Sequence, residues 1–279
     1  MYKISVLILI YNKKVEDSES FKGILKSKIN LTDFNVVVWN NGPEVINYES
    51  FPIPVANFEL VQTISNESLS KIYNIFISRF KSERYVILDD DSLINDIYLE
   101  EIKSVSTNLI SLPIVSCNGM VTSPLSGRKP IEKKITNKNK KPLFAIGSGM
   151  VIGHDAALLI KRKYGNVFDE RFYFYGVDVS LCHRVNSLLD YISYNIISGF
   201  EHNQSKFQYE NKNILDFRKK ERSYDLGLRL RFYTPPLKSF LVIFRVLVKI
   251  VFNYFSNQNN RYFAKDLITA FFTGKHYKN

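Results

Sequence analysis

The chain opens on short β-branched runs separated by helix-compatible stretches. Ile4–Ile10 and Asn35–Trp39 are apolar without clean alternation, the pattern of parallel strands covered on both faces. Between them Phe21, Ile24, Leu25 and Ile29 recur at helical spacing and predict a helix over Glu16–Ile29. A second stripe, Leu69, Ile72, Tyr73, Phe76 and Phe80, predicts a helix over Ser68–Phe80 that leads into a strand at Tyr85–Leu88. Strand, helix, strand, helix, strand is the order of a doubly wound α/β sheet with right-handed crossovers, whose ligands lie beyond the carboxyl ends of the strands. Tyr11-Asn12, Asn40-Asn41-Gly42 and Asp89-Asp90-Asp91 all fall at those ends, so three polar clusters on one sheet edge predict a nucleotide crevice.

Farther along, Phe144–Ile152 reads as another strand, broken by Gly147-Ser148-Gly149. The two glycines either let backbone approach a ligand closely or form a tight bend. Residues 128–141 are basic, polar and aperiodic, which predicts a mobile loop or exposed hairpin, either closing over phosphates or simply solvated. From Lys238 to Phe255 the chain is apolar except for Ser239, Arg245, Lys249 and Asn253, the last three at i, i+4 spacing. A bilayer span needs ~20 apolar residues, and two cations in the middle argue against one. Two readings stay open: an amphipathic helix on an anionic membrane surface, which suits Phe240, Phe244, Phe252, Tyr254 and Phe255, or a core helix with a narrow wet face.

At 279 residues and 45% hydrophobic content, the chain can bury the core of one large domain, or of a domain with an appendage. Cys117 and Cys182 cannot form a disulfide framework and lack zinc-ligand spacing, which favours a reducing, cytoplasmic setting. The first apolar run has no small-residue cleavage site and ends in Asn12-Lys13-Lys14, so it reads as a buried strand rather than a signal peptide. Of the net charge of +11, residues 206–279 carry +10, from 15 Lys/Arg against 5 Asp/Glu. A basic, aromatic tail raises nucleic-acid binding as a class, but no nucleic-acid module is present and the Asp cluster would repel phosphate without a metal, so no nucleic-acid partner is expected.

The Asp triplet carries the candidate chemistry. Three carboxylates leaving the end of an apolar strand repel one another and lose hydration, so a cation is needed to offset them. Mg²⁺ or Mn²⁺ takes carboxylate oxygens and keeps positions open for substrate phosphates, which points to a nucleotide-activated donor. The alternative is an acidic turn that caps the following helix.

Taken in order, Ser5–Asn12, Val36–Gly42, Val86–Asp91, Ile146–Ile152 and Phe168-Asp169-Glu170 through Asp178 and Arg184 resemble the family 2 glycosyltransferases of GT-A fold. The likeness is strongest to the rhamnosyltransferase-like members that build bacterial surface polysaccharides such as O-antigen and capsule, and it covers roughly residues 3–205. It implies a mixed, mostly parallel α/β sheet flanked by helices. Residues 1–205 would be the catalytic domain (1–100 the nucleotide-binding half, 101–205 the acceptor-binding half), with 206–279 a helical, basic extension. The family's Tyr-Asn pair near the nucleotide is matched by Tyr11 and Asn12. Its Asp-Asn-Gly, whose Asp hydrogen-bonds the pyrimidine, becomes Asn40-Asn41-Gly42, which changes the donor and acceptor pattern. In the Asp-X-Asp motif Asp91 would bind the metal bridging the diphosphate, Asp89 would lie near the ribose or metal, and Asp90 would sit beside the donor nucleotide.

The segment Phe168–Arg184 resembles the family's acceptor-side motif, which makes Asp178 the general base, although an Asp heading a helix is by default only a cap. Asp169 and Glu170 are the alternative base, or they order the loop. Gly149 falls on the acceptor side, and Arg184 would orient a carboxylate, contact phosphate or close the helix. His202 occupies the region where many such enzymes place a His near the metal, yet a lone His is often structural. Ser205 would assist at phosphate.

The resemblance thus implies a cytoplasmic, inverting, Mn²⁺- or Mg²⁺-dependent transferase working at the inner face of the bacterial membrane. Its donor would be a UDP- or dTDP-sugar and its acceptor a saccharide on a polyprenyl diphosphate. Two rivals are kept. One is the same chemistry on a soluble or protein acceptor, with the tail as a homodimer interface; the other is an inactive sugar-nucleotide binder, suggested by Asn40.

Overall fold

A computed structural model describes residues 2–47, 55–139, 141–202, 212–256 and 258–279, with backbone alone for 136–139; Ser205 lies outside the described residues. In chain order the first half comprises β1 (Tyr2–Ile10), α1 (Glu19–Lys26), β2 (Leu31–Asn40), β3 (Val55–Gln62), α2 (Leu69–Arg79), β4 (Ser82–Asp89), β5 (Ser92–Leu93), α3 (Asp96–Ser104) and β6 (Leu109–Cys117). There follow β7 (Met120–Ser123), β8 (Leu125–Ser126), β9 (Lys129–Pro130), β10 (Ile135–Asn139), β11 (Met150–Gly153), α4 (His154–Tyr164), α5 (Val177–Asn186) and β12 (Ser193–His202). Three helices close the chain: α6 (Lys212–Phe232), α7 (Pro236–Phe255) and α8 (Ala264–Thr273).

The main sheet runs β10-β12-β6-β11-β4-β1-β2-β3. β4, β1, β2 and β3 are parallel, β11 is antiparallel to both its neighbours, and β12 is parallel to β6. The five predicted elements of the first 90 residues are present with shifted ends. The helix expected over Glu16–Ile29 is confined to Glu19–Lys26, because Ser18 caps it, its Oγ accepting from the Phe21 N–H at 3.2 Å. β3 escapes the sequence pattern because it is an edge strand, partly exposed throughout, with Asn57 and Glu59 in it. Residues 128–141 were expected to be loop or exposed hairpin. Lys129–Pro130 does form a small hairpin with Leu125–Ser126, but Ile135–Asn139 joins the main sheet against β12. A polar, Lys-rich segment suffices there because an edge strand needs only one neighbour and discourages further pairing by its charge. Of the strand expected over Phe144–Ile152, only Met150 onward is paired in the main sheet; Phe144 makes an isolated bridge to Leu125.

The chain forms two compact units. The first holds residues 1–67, 71–167 and 181–205; the second holds 68–70, 168–180 and 206–279. The segment carrying Asp169, Glu170 and Asp178 therefore groups with the C-terminal helices, although the sequence placed it with the sheet.

In the first unit Ile4, Val6 and Ile8 of β1 join Val36, Val38, Val86 and Leu88 in a core closed by Phe21 of α1 and Tyr98, Leu99 and Ile102 of α3. The alternate residues Leu7, Val37 and Ile87 are equally buried, which is why these strands show no polar alternation. One polar row crosses the sheet. Asn57 Nδ2 donates to Asn35 Oδ1 at 2.8 Å, Asn35 Nδ2 to Ser5 Oγ at 2.9 Å, and Ser5 Oγ lies 2.5 Å from Ser82 Oγ. Four hydrogen-bonded side chains on four successive strands lock the register, since a one-residue slip would turn every member to the opposite face.

In the second unit α6, α7 and α8 pack through Leu230, Ile243, Leu267 and Phe271. Gly227 permits close approach of α6 and α8: a Cβ there would meet the Leu267 carbonyl oxygen at 2.6 Å. Glu221 is buried, accepting from Tyr277 Oη at 2.7 Å with His276 Nε2 3.3 Å away. The polar stripe expected on α7 divides: Arg245 and Lys249 are exposed while Asn253 is buried. Each i, i+4 step advances about 40° around the axis, so three such positions walk off any single face.

Replacing Asn35 with Ala strands both Asn57 and Ser5, and the expected loss is about 2–3 kcal/mol of unfolding free energy, read as a lower urea midpoint at unchanged slope.

Candidate active site

The parallel strands bring their carboxyl ends to one edge of the first unit. Ile10 pairs with Asn40 in register, and the loops beyond are tied together by Asn41 N–H to the Ile10 carbonyl (2.9 Å) and Asn12 N–H to the Gly42 carbonyl (2.7 Å). Asn12 turns with φ of 50°, a conformation asparagine tolerates. Beside this edge lies a cleft of about 420 Å³ lined by Asn12, Lys13, Lys14, Glu16, Asp17, Asn40 and residues 42–47. Tyr11 is half-exposed at the same edge.

Asn40 and Asn41 do not present their amides as the Asp-Asn-Gly pattern suggests. Asn40 is buried, its Nδ2 donating to the Glu44 carbonyl (2.7 Å) and Gln62 Oε1 (2.9 Å) while its Oδ1 accepts from the Gly42 N–H (2.9 Å). Asn41 is held by Thr63 Oγ1, the Glu67 N–H and the Glu67 carbonyl at 2.8–3.0 Å. Asn40 lines the cleft with both its donors already spent, and Asn41 braces the loops behind it.

The acidic tip beyond β4 splits into two roles. Asp90 is paired with Lys13, Nζ to Oδ2 at 2.7 Å. Its backbone carbonyl accepts from the Glu19 N–H at 2.8 Å, so the start of α1 anchors the turn. Asp89 and Asp91 are joined by His202 from the end of β12: ligand-capable atoms of the three lie within 4.8 Å of one another. His202 is buried, with Nδ1 3.0 Å from Ser92 Oγ and 3.3 Å from Asp91 Oδ1, and Nε2 3.8 Å from Asp89 Oδ2. β5 makes this possible, because Ser92 pairs directly with His202 across the strands. Ser148 completes the support, accepting from the Asp89 N–H at 3.0 Å and lying 2.6 Å from Ser92 Oγ.

Burial pushes the Asp91 carboxyl above its ordinary value, against the pull of His202 and with the push of Asp90. Burial likewise lowers His202, opposed by Asp91 and Asp90, which favours the neutral imidazole that ligates metals. Two carboxylates and an imidazole fit Mn²⁺ or Mg²⁺, hard enough for oxygen and, for manganese, tolerant of nitrogen.

The remaining predicted residues are placed as follows. Gly149, at φ of 82°, sits inside: a Cβ would meet Phe200 and Pro113 carbons at 2.6 Å, and its N–H donates to the Ile87 carbonyl. The bend is a packing device and offers no open backbone to a ligand. Arg184 is buried and clamps the loop after α4, its Nη1 donating to the Asn166 and Val167 carbonyls at 2.9 and 3.0 Å.

In the second unit, Asp169 is buried and accepts a two-pronged bond from Arg171 at 2.7 and 2.5 Å, plus Tyr233 Oη at 2.6 Å. An ion-paired carboxylate with its oxygens so engaged is a poor base, and these bonds order the loop. Glu170 is partly exposed, and its backbone carbonyl accepts from Asn279 Nδ2 at 3.2 Å.

Asp178 lies in the first turn of α5, surrounded by protein yet retaining some accessible surface. Burial pushes its carboxyl up to about 6; the Val179 N–H and Arg229 oppose this, and Asp225 adds to it. Asp225 is bidentate with Arg229 at 2.6 and 2.8 Å and abuts Gly176, where a Cβ would stand 2.1 Å from its Oδ1. Sequence reasoning missed Lys13, Ser92, Ser148, Asp225 and Arg229. Lys13 and Ser148 fall in stretches the sequence singles out for other reasons, and only the positions of all five in space make them relevant.

Among solved structures, S. aureus TarS 1–349 matches with a TM-score of 0.51 at 12% identity, over 82% of this chain and 64% of that one. The chain thus spans just under two thirds of that structure's length. A further S. aureus TarS structure gives 0.49 at 14% identity over 84% and 40% of the two chains, and TarS 1–349 in complex with UDP gives 0.49 at 14% over 84% and 67%. At such identity the first match shows a shared fold, and the mixed, mostly parallel sheet flanked by helices is the GT-A fold expected from the sequence. No protein-family model matches the chain, and no curated protein matches it by sequence.

Proposed function

We propose that the chain is a metal-dependent, inverting glycosyltransferase, of the family 2 kind close to the rhamnosyltransferase-like enzymes, that moves a sugar from a UDP- or dTDP-linked donor to a saccharide acceptor. The observation that carries this reading is the convergence at the carboxyl edge of a GT-A sheet of Asp89 and Asp91 with His202, which is 111 residues beyond Asp91 in sequence. Asp89, Asp91 and His202 would hold the ion, which supplies charge neutralisation for a departing diphosphate. Lys13 offsets Asp90, so the tip does not carry three uncompensated charges. Tyr11, Asn12 and the cleft beside them take the nucleoside. Because Asn40 and Asn41 are engaged internally, base recognition falls to backbone and other cleft groups.

Asp178 is the proposed base. It accepts the proton of an acceptor hydroxyl as that oxygen bonds to the anomeric carbon, while the carbon–oxygen bond to the diphosphate breaks and the electron pair leaves with it. A single displacement inverts the anomeric centre. With its carboxyl near 6, Asp178 is ionised at neutral pH yet basic enough to assist. The acceptor is proposed to be a saccharide on a polyprenyl diphosphate at the inner face of a bacterial cytoplasmic membrane, within surface-polysaccharide synthesis. The reading of an inactive sugar-nucleotide binder is favoured only by the internal bonding of Asn40, and it predicts donor binding without turnover.

Thermal-shift titration with UDP and Mn²⁺ tests the donor site: a rise of several degrees needs both together, and Asp91→Asn or His202→Ala removes it. An unchanged shift in Asp91→Asn would overturn the metal assignment.

Asp178→Asn should cut release of UDP from a sugar donor, assayed with a membrane extract as acceptor source, by about 10²–10⁴ while leaving the UDP/Mn²⁺ shift intact. The wild-type rate should fall as pH drops below about 6. The folded carboxyl is raised above the ordinary aspartate value, so its ionisation costs stability in full above the folded value and nothing below the unfolded one. Asp178→Asn should therefore stabilise the fold by about 1–2 kcal/mol at pH 8, with little gain at pH 4, because the group's residual solvent access screens part of the cost; urea melts at the two pH values check it.

A further inference from the structure

α7 is apolar on both sides: Ile243 packs into the cluster with α6 and α8, yet the outward face of the helix is apolar as well. Its polar Ser239 and Asn253 face the helical packing, Ser239 Oγ donating to the Leu230 carbonyl of α6 at 2.6 Å. Leu237, Phe240, Leu241, Phe244, Val248 and Phe252 face outward, with Phe244 66% and Phe252 65% exposed. At 100° per residue these six span roughly 120° of the circumference along a helix about 30 Å long. Lys238, Arg245 and Lys249 form a row on one border of that band, and α7 contains no Asp or Glu. A contiguous apolar face of this kind, exposed on a monomer, marks an interaction site.

Charge decides the occupant. A second copy packed antiparallel through this face would set each cation row against its own twin. Packed parallel, it would meet a border with no acid on it. The surrounding stretch 206–279 is itself +10, so a second copy is repelled at longer range as well. An anionic lipid surface complements both features: acyl chains accept the aromatic band, and headgroup phosphates accept Lys238, Arg245 and Lys249 with their aliphatic stems along the interface. Crossing the bilayer is not required, since no helix among the described residues is long and apolar enough to span a membrane and the inner side of α7 is packed on α6 and α8.

We infer that α7 docks the protein in the interfacial layer of an anionic membrane, with the Phe244 face immersed and the Lys238–Arg245–Lys249 border at headgroup level. The inference deepens the reading of a membrane-linked acceptor but rests on the α7 surface, so its test uses neither donor, metal nor acceptor.

The full chain is sedimented with vesicles of phosphatidylcholine alone or with 30% phosphatidylglycerol. It should bind the anionic vesicles at least ten-fold more tightly than the neutral ones. Arg245→Gln with Lys249→Gln should weaken anionic binding about 30-fold, at roughly five-fold per cation near the surface. Phe244→Glu should abolish binding to both vesicles while circular dichroism and melting stay as in the wild type, because the side chain is largely exposed. Wild-type protein that stays in the supernatant with anionic vesicles overturns the inference. So does Phe244→Glu protein that still sediments, or a lipid-free dimer by analytical ultracentrifugation that Phe244→Glu dissociates. A UDP/Mn²⁺ thermal shift on the same preparations reports the donor site separately, so loss of one reading leaves the other standing.

Discussion

Carboxylates cannot leave the end of a buried strand side by side without compensation, and the rest of the site is arranged around that constraint. The compensation is unequal. Lys13 takes Asp90, and α1 fastens onto the same residue's backbone, while Asp89 and Asp91 are left facing a buried imidazole. Ser92 and Ser148 hold the imidazole and the strand end in place, so the two remaining acids and His202 are preset rather than mobile. Such support lowers the cost of gathering ligands round an ion, because neither side chains nor backbone must be ordered at the moment of binding.

The second unit answers a different electrostatic problem. Its two acids near the start of α5 are treated oppositely: Asp169 is locked by Arg171 and Tyr233, whereas Asp178 is met by backbone donors, has a raised proton affinity and has the Asp225–Arg229 pair nearby. Gly176 is there because the Asp225 carboxylate occupies the space a side chain would need. In the helices behind these acids, α7 buries Ser239 and Asn253 on its packed side and leaves Phe244 and Phe252 outside, so its outer face is an exposed apolar surface.

The alternation of apolar runs and helical stripes was enough to announce a doubly wound sheet with its polar clusters at one edge, since periodicity and strand ends are local properties. Asp89 and Asp91 were legible for the same reason: acids at the end of an apolar run are conspicuous. What required the folded chain was everything nonlocal. β3 and β10 are strands because a neighbour accepts them, and α1 starts where Ser18 caps it. His202 could be suspected by resemblance, but its place beside Asp91 follows from the Ser92–His202 pairing of β5 with β12. Asn40, Asn41, Gly149, Arg184 and Asp169 look like site residues by motif and are held by internal hydrogen bonds or packing, because side-chain direction and hydrogen-bond partners are settled by packing, which a linear pattern does not contain.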